Sequence, residues 1–569
     1  MTYQPAMGIG CVGVIAWMGL SLGLPGVVWG AAAGWQDFGP PSRLTAAVAP
    51  VPEAERVAAE AVPAADLPLE PDPSTETPDP LFEVQTIVVE GSTVFSEAEL
   101  AAAVRPFEGR SLTLAELQQA ADAVTQLYLN AGYLTSAAVL SPQTITGGVV
   151  RLQVIEGGLE EIRVEGSDRL IPYVQQRIAL ANPRPVNQNR LEEQLQLLNA
   201  DPLFENVEAS LRQGQMPGTS ILIVRVTEAP ALGGSLAVDT LSPRSVGQYR
   251  TGVTLTYNNL AGLGDRLLAS AYRSTTGGSY AYDLSYLVPL NPMNGTLVLR
   301  ATPNNFRITD SSDPAFVLDL SGSTDSYEIQ YRQPLIRTLR EELALSVGFR
   351  YRQGNTLLLG LITPPTVTSV VNFNQDYLRR DVGGVWGVQS QFRLGTGLFN
   401  ATNLPGPGLD AQFFSWLGQV QRLQVLGPDY RLLLQGSLQL TPDQLLPGSE
   451  QFFIGGGQSV RGYYQNERFG DNGVRFSVEG QIILQRDQEG NPLTWLFPFL
   501  DAGYVWAANP AFQPTRQNAM VGTGLGLELR PLDNLTARMD LGFPLIKLDE
   551  LPSDRPAGLR VYFDLRYWF

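Results

Sequence analysis

The stretch Glu450 to Gly480, EQFFIGGGQSVRGYYQNERFGDNGVRFSVEG, decides the fold. Its second half alternates. From Val474 to Ile482 the side chains of Arg475, Ser477, Glu479 and Gln481 share one face, and apolar residues take the other, the period of a β-strand with two different surroundings. Its first half does not alternate. Gly455, Gly456 and Gly457 precede Arg461, and Gly462 follows it, so this segment bends sharply enough to turn back into whatever the strands enclose.

The alternation extends from about residue 231 to the end. In YRTGVTLTYN, Tyr249, Thr251, Val253, Leu255 and Tyr257 oppose Arg250, Gly252, Thr254, Thr256 and Asn258. Leu343, Leu345, Val347, Phe349 and Tyr351 oppose Ala344, Ser346, Gly348, Arg350 and Arg352. In Leu535 to Phe543, Arg538 and Asp540 face away from Leu535, Ala537, Met539 and Leu541. A soluble sandwich also alternates. Here the apolar faces end in Tyr, Phe or Trp, as interfacial girdles do, and the polar faces carry Arg and Glu, which suit a lumen better than a dry core. A closed barrel is also the sheet that leaves no unpaired backbone in lipid. The region predicts a transmembrane antiparallel β-barrel of about 16 strands, at roughly 21 residues per strand with its loops.

Two similar units precede it, 82–157 and 159–230. One opens QTIVVEGS at Gln85, the other EEIRVEGS at Glu160, and they close RLQVIEG at Arg151 and IVRVTEA at Ile223. Between these strands lie helix signals. Ser96 with Glu99 and Thr113 with Glu116 form capping boxes. Leu114, Leu117, Ala121, Val124 and Leu127 predict the buried stripe of the second helix, and Gly132 its end. In the second unit Asn189 with Glu192 predicts a helix start. Closing strands are expected at Ser136 to Leu140 with Val149 to Ile155, and at Asn206 to Arg212 with Ser220 to Thr227. Each unit is α+β, ordered β-α-α-β-β.

The N-terminal portion divides in two. Met7 to Ala33 is an apolar run ending in small residues, expected to be a signal peptide over 1–33. Residues 34–81 form a linker. Pro40 to Pro80 holds ten Pro, eight acidic residues and two Arg, too little apolar surface to offset chain entropy.

Absences exclude much chemistry. The net charge of −17 argues against nucleic acid. With no His there is no Ser-His-Asp triad and no His-based zinc site. Lys547, the sole Lys, follows Ile546, so no phosphate loop for nucleotide exists. Cys11 is the sole Cys, which excludes an internal disulfide and a Cys-based metal cluster. No catalytic site, cofactor or metal is expected.

Gly456 to Tyr463, ending Val460-Arg461-Gly462-Tyr463, followed by FLDAGYV at Phe499 to Val505, resembles the Omp85 superfamily. The repeated units resemble that superfamily's POTRA domains. YLNAGYLTSAAVLSPQTITGGVVRLQVIEG at Tyr128, NNLAGLGDRL at Asn258 and LTPDQLLPGSEQFFIGG at Leu440 resemble more closely the two-partner secretion transporters, the hemolysin secretion/activation and filamentous hemagglutinin transporter family. The resemblance implies an outer-membrane protein with POTRA modules in the periplasm. Its partners would be an unfolded exported protein, outer-membrane lipid and, during biogenesis, the barrel-assembly machinery. It also implies a plug helix in the linker, for which Glu53 to Val62 is the candidate. A barrel-assembly insertase is the alternative, and a passive porin a more distant one.

Two site expectations follow. In LFPFLDAGYVW alternation turns Phe499, Asp501 and Gly503 toward the lumen, with Gly503 leaving space for Arg461 to reach Asp501 in a charge-assisted bond. At about 4 Å and an effective dielectric of about 20 the attraction is about 4 kcal/mol before desolvation. The last strand, RVYFDLRYWF, places Val561, Phe563, Leu565, Tyr567 and Phe569 on its lipid face, and the terminal Phe569 resembles a barrel-assembly signal.

Overall fold

A computed structural model describes residues 80–181, 184–216, 218–403, 410–442, 445–512, 517–548 and 558–569. The expected signal peptide, the candidate plug helix and all but the end of the linker lie outside these residues. The chain divides between Ala229 and Pro230 into two compact units.

The N-terminal unit contains two copies of one topology. In the first, Thr86–Glu90 runs parallel to Val149–Ile155, which pairs antiparallel with Ala137–Val139. In the second, Gly158–Glu165 runs parallel to Thr219–Glu228, which pairs antiparallel with Phe204–Gln213. Two helices intervene in each, Glu97–Val104 with Leu114–Asn130, and Ile171–Ile178 with Gln188–Asn199. Parallel pairing of the first and last strands requires a long crossover, which the helices supply. The first copy also carries a short ribbon, Phe82–Val84 with Arg110–Leu112.

Both capping boxes of the first copy form. The Ser96 and Thr113 hydroxyls accept from the amides of Glu99 and Glu116, whose carboxylates accept the cap amides in return. These bonds hold both carboxyls below the usual range, for Glu99 chiefly the Ser96 hydroxyl and for Glu116 chiefly the Thr113 amide. The buried stripe of the second helix is Leu117, Ala120, Ala121, Val124 and Tyr128. Leu114 is 56% exposed, a correction to the sequence reading. It lies on the border of the stripe in the first turn, where a helix has least cover. Tyr128, in the last turn, joins the stripe instead. Burial raises its hydroxyl to about 12, and it donates to Glu156, 2.9 Å away, which also accepts the Thr93 amide at 2.6 Å. The Glu of the closing IEG thereby ties the turn after the opening strand to the helix.

In the second copy the helix cap is Asn187, not Asn189. The Asn187 side chain accepts from the Arg190 amide at 3.2 Å and donates to the Ala131 carbonyl at 3.0 Å. One amide thus caps a helix start and satisfies the end of the preceding copy's helix, where Gly132 adopts φ +86°. Local spacing favours either Asn, and the neighbouring copy decides between them.

The C-terminal unit is a closed barrel of sixteen antiparallel strands. Outward residues are apolar and accessible. Val474 is 41% exposed and Phe476 49%, whereas Arg475, Ser477 and Glu479 on the same strand are buried inside. Crossing a bilayer takes about 9–11 strand residues. Glu341–Leu358 has 18 and Ser321–Arg337 has 17, so these strands continue well beyond the lipid. The barrel closes where Asp564–Trp568 pairs with Ser235–Asp239, five residue pairs, against sixteen between Ser321–Arg337 and Glu341–Leu358. Phe569 extends that short seam, exchanging backbone hydrogen bonds with Gly234 at 2.9 and 3.0 Å.

Because the seam is short, deleting Phe569 removes two of its few hydrogen bonds and an outward aromatic ring. The expected outcome is less heat-resistant barrel in a gel-shift assay at unchanged expression. An undiminished heat-resistant band would show that the terminal residue is dispensable for closure.

Candidate functional site

Between Tyr430–Leu440 and Asn472–Arg486 the chain turns back into the barrel. It forms a small ribbon, Phe452–Ile454 with Arg468–Gly470. Ile454, Val460 and Tyr463 pack with Val505, Met520 and Leu548 in a buried apolar cluster against the wall. Three left-handed glycines, Gly455, Gly456 and Gly462, with φ near +100° each, turn the loop. A side chain there would be strained.

Arg461 sits at the bottom of this turn, 5% exposed. Its Nε lies 2.7 Å from Asp501 Oδ2 and its Nη2 3.0 Å from Oδ1, a bidentate pair. The Arg461 backbone amide also donates to Asp501, and the Ser477 hydroxyl donates to Asp501 Oδ1 at 2.6 Å. Nη1 donates to Glu479 at 2.6 Å and lies 3.9 Å from Asp540. Arg538 bridges Glu479 and Asp540 from the other side, at 2.9 and 3.1 Å. The Arg461 guanidinium lies over the Phe499 ring, 3.5 Å from its centroid. One face of the guanidinium is therefore shielded from water by the ring, while each of its three nitrogens donates a hydrogen bond to a carboxylate.

The wall admits the loop because it lacks side chains where the loop touches it. A Cβ on Gly522 would lie 1.8 Å from the Arg461 carbonyl oxygen, and one on Gly542 would lie 2.6 Å from the Gly462 nitrogen. At Gly503 a Cβ would lie 3.0 Å from Val460. The Gly462 amide donates to the Tyr562 hydroxyl at 2.9 Å, and that hydroxyl donates to the Tyr463 carbonyl at 2.5 Å. Tyr463 reaches outward, its hydroxyl 2.9 Å from the Val521 carbonyl and 2.8 Å from that of Ile546.

The structure brings together Val460, Arg461, Gly462, Tyr463, Asp501 and Gly503. Phe569 is elsewhere, at the seam. Sequence reasoning placed Glu479, Ser477, Arg538 and Asp540 on polar faces without joining them to Arg461, and did not single out Gly522, Gly542 or Tyr562. The signal for the glycines was present. Gly522, Gly524, Gly526 and Gly542 recur at inward positions of neighbouring strands, where a lumen wall has no other need for them.

Replacing Gly522 with Ala should leave the barrel inserted and its loop unseated. Trypsin added to reconstituted protein would then cut at Arg461 or Arg468, which the native loop protects. A loop that stays resistant would mean the wall yields rather than the loop.

Comparisons with known proteins agree with this fold. The family described as Haemolysin secretion/activation protein ShlB/FhaC/HecB matches residues 218–529, and the POTRA domain, ShlB-type, matches residues 82–157. The chain is 26% identical over 517 residues to the outer membrane transporter CdiB of Escherichia coli, covering 87% of this chain and 83% of that protein. It is 23% identical over 400 residues to the hemolysin transporter protein ShlB of Serratia marcescens, covering 68% and 70%. In fold it is similar to solved CdiB from Escherichia coli, with TM-score 0.69, 24% identity and coverage of 89% and 94%. CdiB from Acinetobacter baumannii gives TM-score 0.61 at 18% identity, covering 86% and 90%. With more than half its length matched by that family, the loop included, the chain belongs to the haemolysin secretion/activation ShlB/FhaC/HecB family.

Proposed function

We propose that this outer-membrane secretion transporter captures its exported partner unfolded, along open sheet edges of its N-terminal unit, and passes it through the barrel lumen when the Arg461 loop leaves its seat. Residues 82–157 and 159–230 act as two POTRA modules in the periplasm, and residues 231–569 as the barrel. The observation that carries this reading is a loop of the chain's own turned into the lumen and seated on the wall by a buried ion network. A solute pore needs a standing opening, whereas a route for an occasional polypeptide needs a removable stopper.

The capture step is supported by Phe204–Gln213, a ten-residue edge strand paired on one side only among the described residues and exposed at most positions. An edge of that length offers backbone donors and acceptors to an extended chain whatever its sequence. The lipid contact is supported by the outward apolar face, and delivery to the barrel-assembly machinery by the aromatic C-terminus. With no phosphate loop in the sequence, folding of the partner outside would supply the direction.

Deleting residues 82–230 should leave an inserted, heat-resistant barrel that secretes no partner protein into the medium. Secretion by that deletion would remove the receptor role of the modules.

Arg461→Ala and Asp501→Ala should each cut secretion strongly with the barrel still inserted. Stranding one member of a buried pair costs about 3–5 kcal/mol. The double variant should fall short of the sum of the two single losses, since each single change already breaks the Arg461–Asp501 pair, even though Asp501→Ala alone leaves Arg461 bonded to Glu479. Additive losses in a secretion assay of all three variants would show that the two residues act separately.

A further inference from the structure

The same loop carries a second buried charge, nearer its entry from the wall. Glu450 is 1% exposed and faces three arginines of the barrel wall. Arg350 Nη2 lies 2.8 Å from Glu450 Oε2 and 3.0 Å from Oε1. Arg352 Nη1 lies 3.4 Å from Oε1, and Arg393 Nη1 3.5 Å from Oε2. Arg352 also donates to the Ser449 carbonyl, and Arg393 to Gln439, whose amide in turn donates to the Glu450 carbonyl at 3.0 Å. Other charged groups at the cluster are few. Glu328 is the cross-strand partner of Arg350. Asp471 is turned to the loop, accepting from the Leu446 and Ala508 amides and the Gln451 side chain.

This cluster is built unlike the one around Arg461. There two arginines, Arg461 and Arg538, meet three carboxylates, and the loop contributes the cation. Here three wall arginines meet one loop carboxylate. One hydrogen-bonded arginine would suffice to seat Glu450, and each further buried guanidinium costs desolvation. The surplus is visible in unused donors. The Nε atoms of Arg350 and Arg393 have no hydrogen-bond partner among the described residues, and neither does either side-chain polar atom of Asn372, which stands opposite Arg393 on the adjoining strand. All three residues are at least nine-tenths buried. When the loop withdraws, Glu450 goes with it and the wall keeps three cations against Glu328.

We propose that Arg350, Arg352 and Arg393 form a carboxylate-binding site on the lumen wall, occupied at rest by Glu450 and taken in turn by acidic side chains of the polypeptide in transit. It rests on the reading of the lumen as the route. Planar guanidinium forks suit carboxylates, and the site already holds one. A passing Asp or Glu exchanges for Glu450 with no net change in paired charge, which holds the loop away while cargo is present and readmits it afterwards. The adjacent Asn372 amide is placed to meet a peptide group of the same chain.

The test uses the full-length protein in planar bilayers with hexaglutamate, hexalysine and hexaserine as probes. Glu450→Ala vacates the site, and its current should be blocked by hexaglutamate at a concentration at least about tenfold below that needed for the unsubstituted protein. Adding Arg350→Gln, Arg352→Gln and Arg393→Gln to Glu450→Ala should abolish that gain. Hexalysine and hexaserine should not distinguish the variants. Equal hexaglutamate block with and without the three arginines, or no gain from Glu450→Ala, would overturn the site. Should Glu450→Ala fail to insert, the same series on Glu450→Gln, which keeps the volume, carries the same outcomes. Failure of the route itself reads differently, as full secretion by a variant whose lumen hexaglutamate blocks.

Discussion

A guanidinium removed from water must find carboxylates and hydrogen-bond acceptors for all its edges, and the placement of Arg461 meets that demand by recruiting three barrel strands. Asp501 comes from one, Glu479 from its neighbour, and Asp540 from a strand two further on in the wall. The demand explains the glycines. A loop backbone can deliver Arg461 to that depth only where the wall has no Cβ, at Gly503, Gly522 and Gly542. It also explains the shape of the loop, whose left-handed glycines bracket the arginine. Without this set of contacts the turn would keep its apolar patch but lose the bonds that orient Arg461 on the wall.

Such an arrangement is a poor way to make a stable core and a good way to make a catch. A buried ion pair gains about as much as it loses in desolvation, yet losing one partner is costly. The loop is therefore specified in position without being cemented there. An event that supplies alternative partners, or that changes the wall, can release it as a unit. The apolar cluster around Val460 and Tyr463 adds attraction that does not depend on orientation. The ion network adds the orientation. The entry and the turn of the loop carry opposite charges, Glu450 and Arg461, each meeting its complement on the wall, so reversing or sliding the loop brings like charges together.

The N-terminal unit rests on different physics. Its strands are joined through crossover helices, three of which have side-chain caps at their N-termini, Ser96, Thr113 and Asn187, and each copy has its own apolar core. The copies are also linked by the Asn187 side chain to Ala131 and by the Gln188 amide to Gly132. Short, polar bonds of this kind orient neighbours while leaving the sheet edges open.

Much of this was determined by the sequence alone. Period-two alternation assigned the faces of the barrel strands, because successive strand residues must point to opposite sides. Capping boxes located the first two helices, because the hydroxyl and carboxylate that satisfy a helix start are three residues apart. The absence of His and the near absence of Lys and Cys limited the chemistry. The rest was decided by tertiary structure. Leu114 carries the right spacing but lies where the helix has no cover. Asn187 and Asn189 are equal locally, and contact with the preceding copy chose one. Glu479, Arg538 and Asp540 were legible as inward residues, but alternation gives a face and not a neighbour. Which carboxylates share one arginine depends on the stagger of strands around a closed wall and on where a glycine lets the loop through, and those are properties of the barrel as a whole.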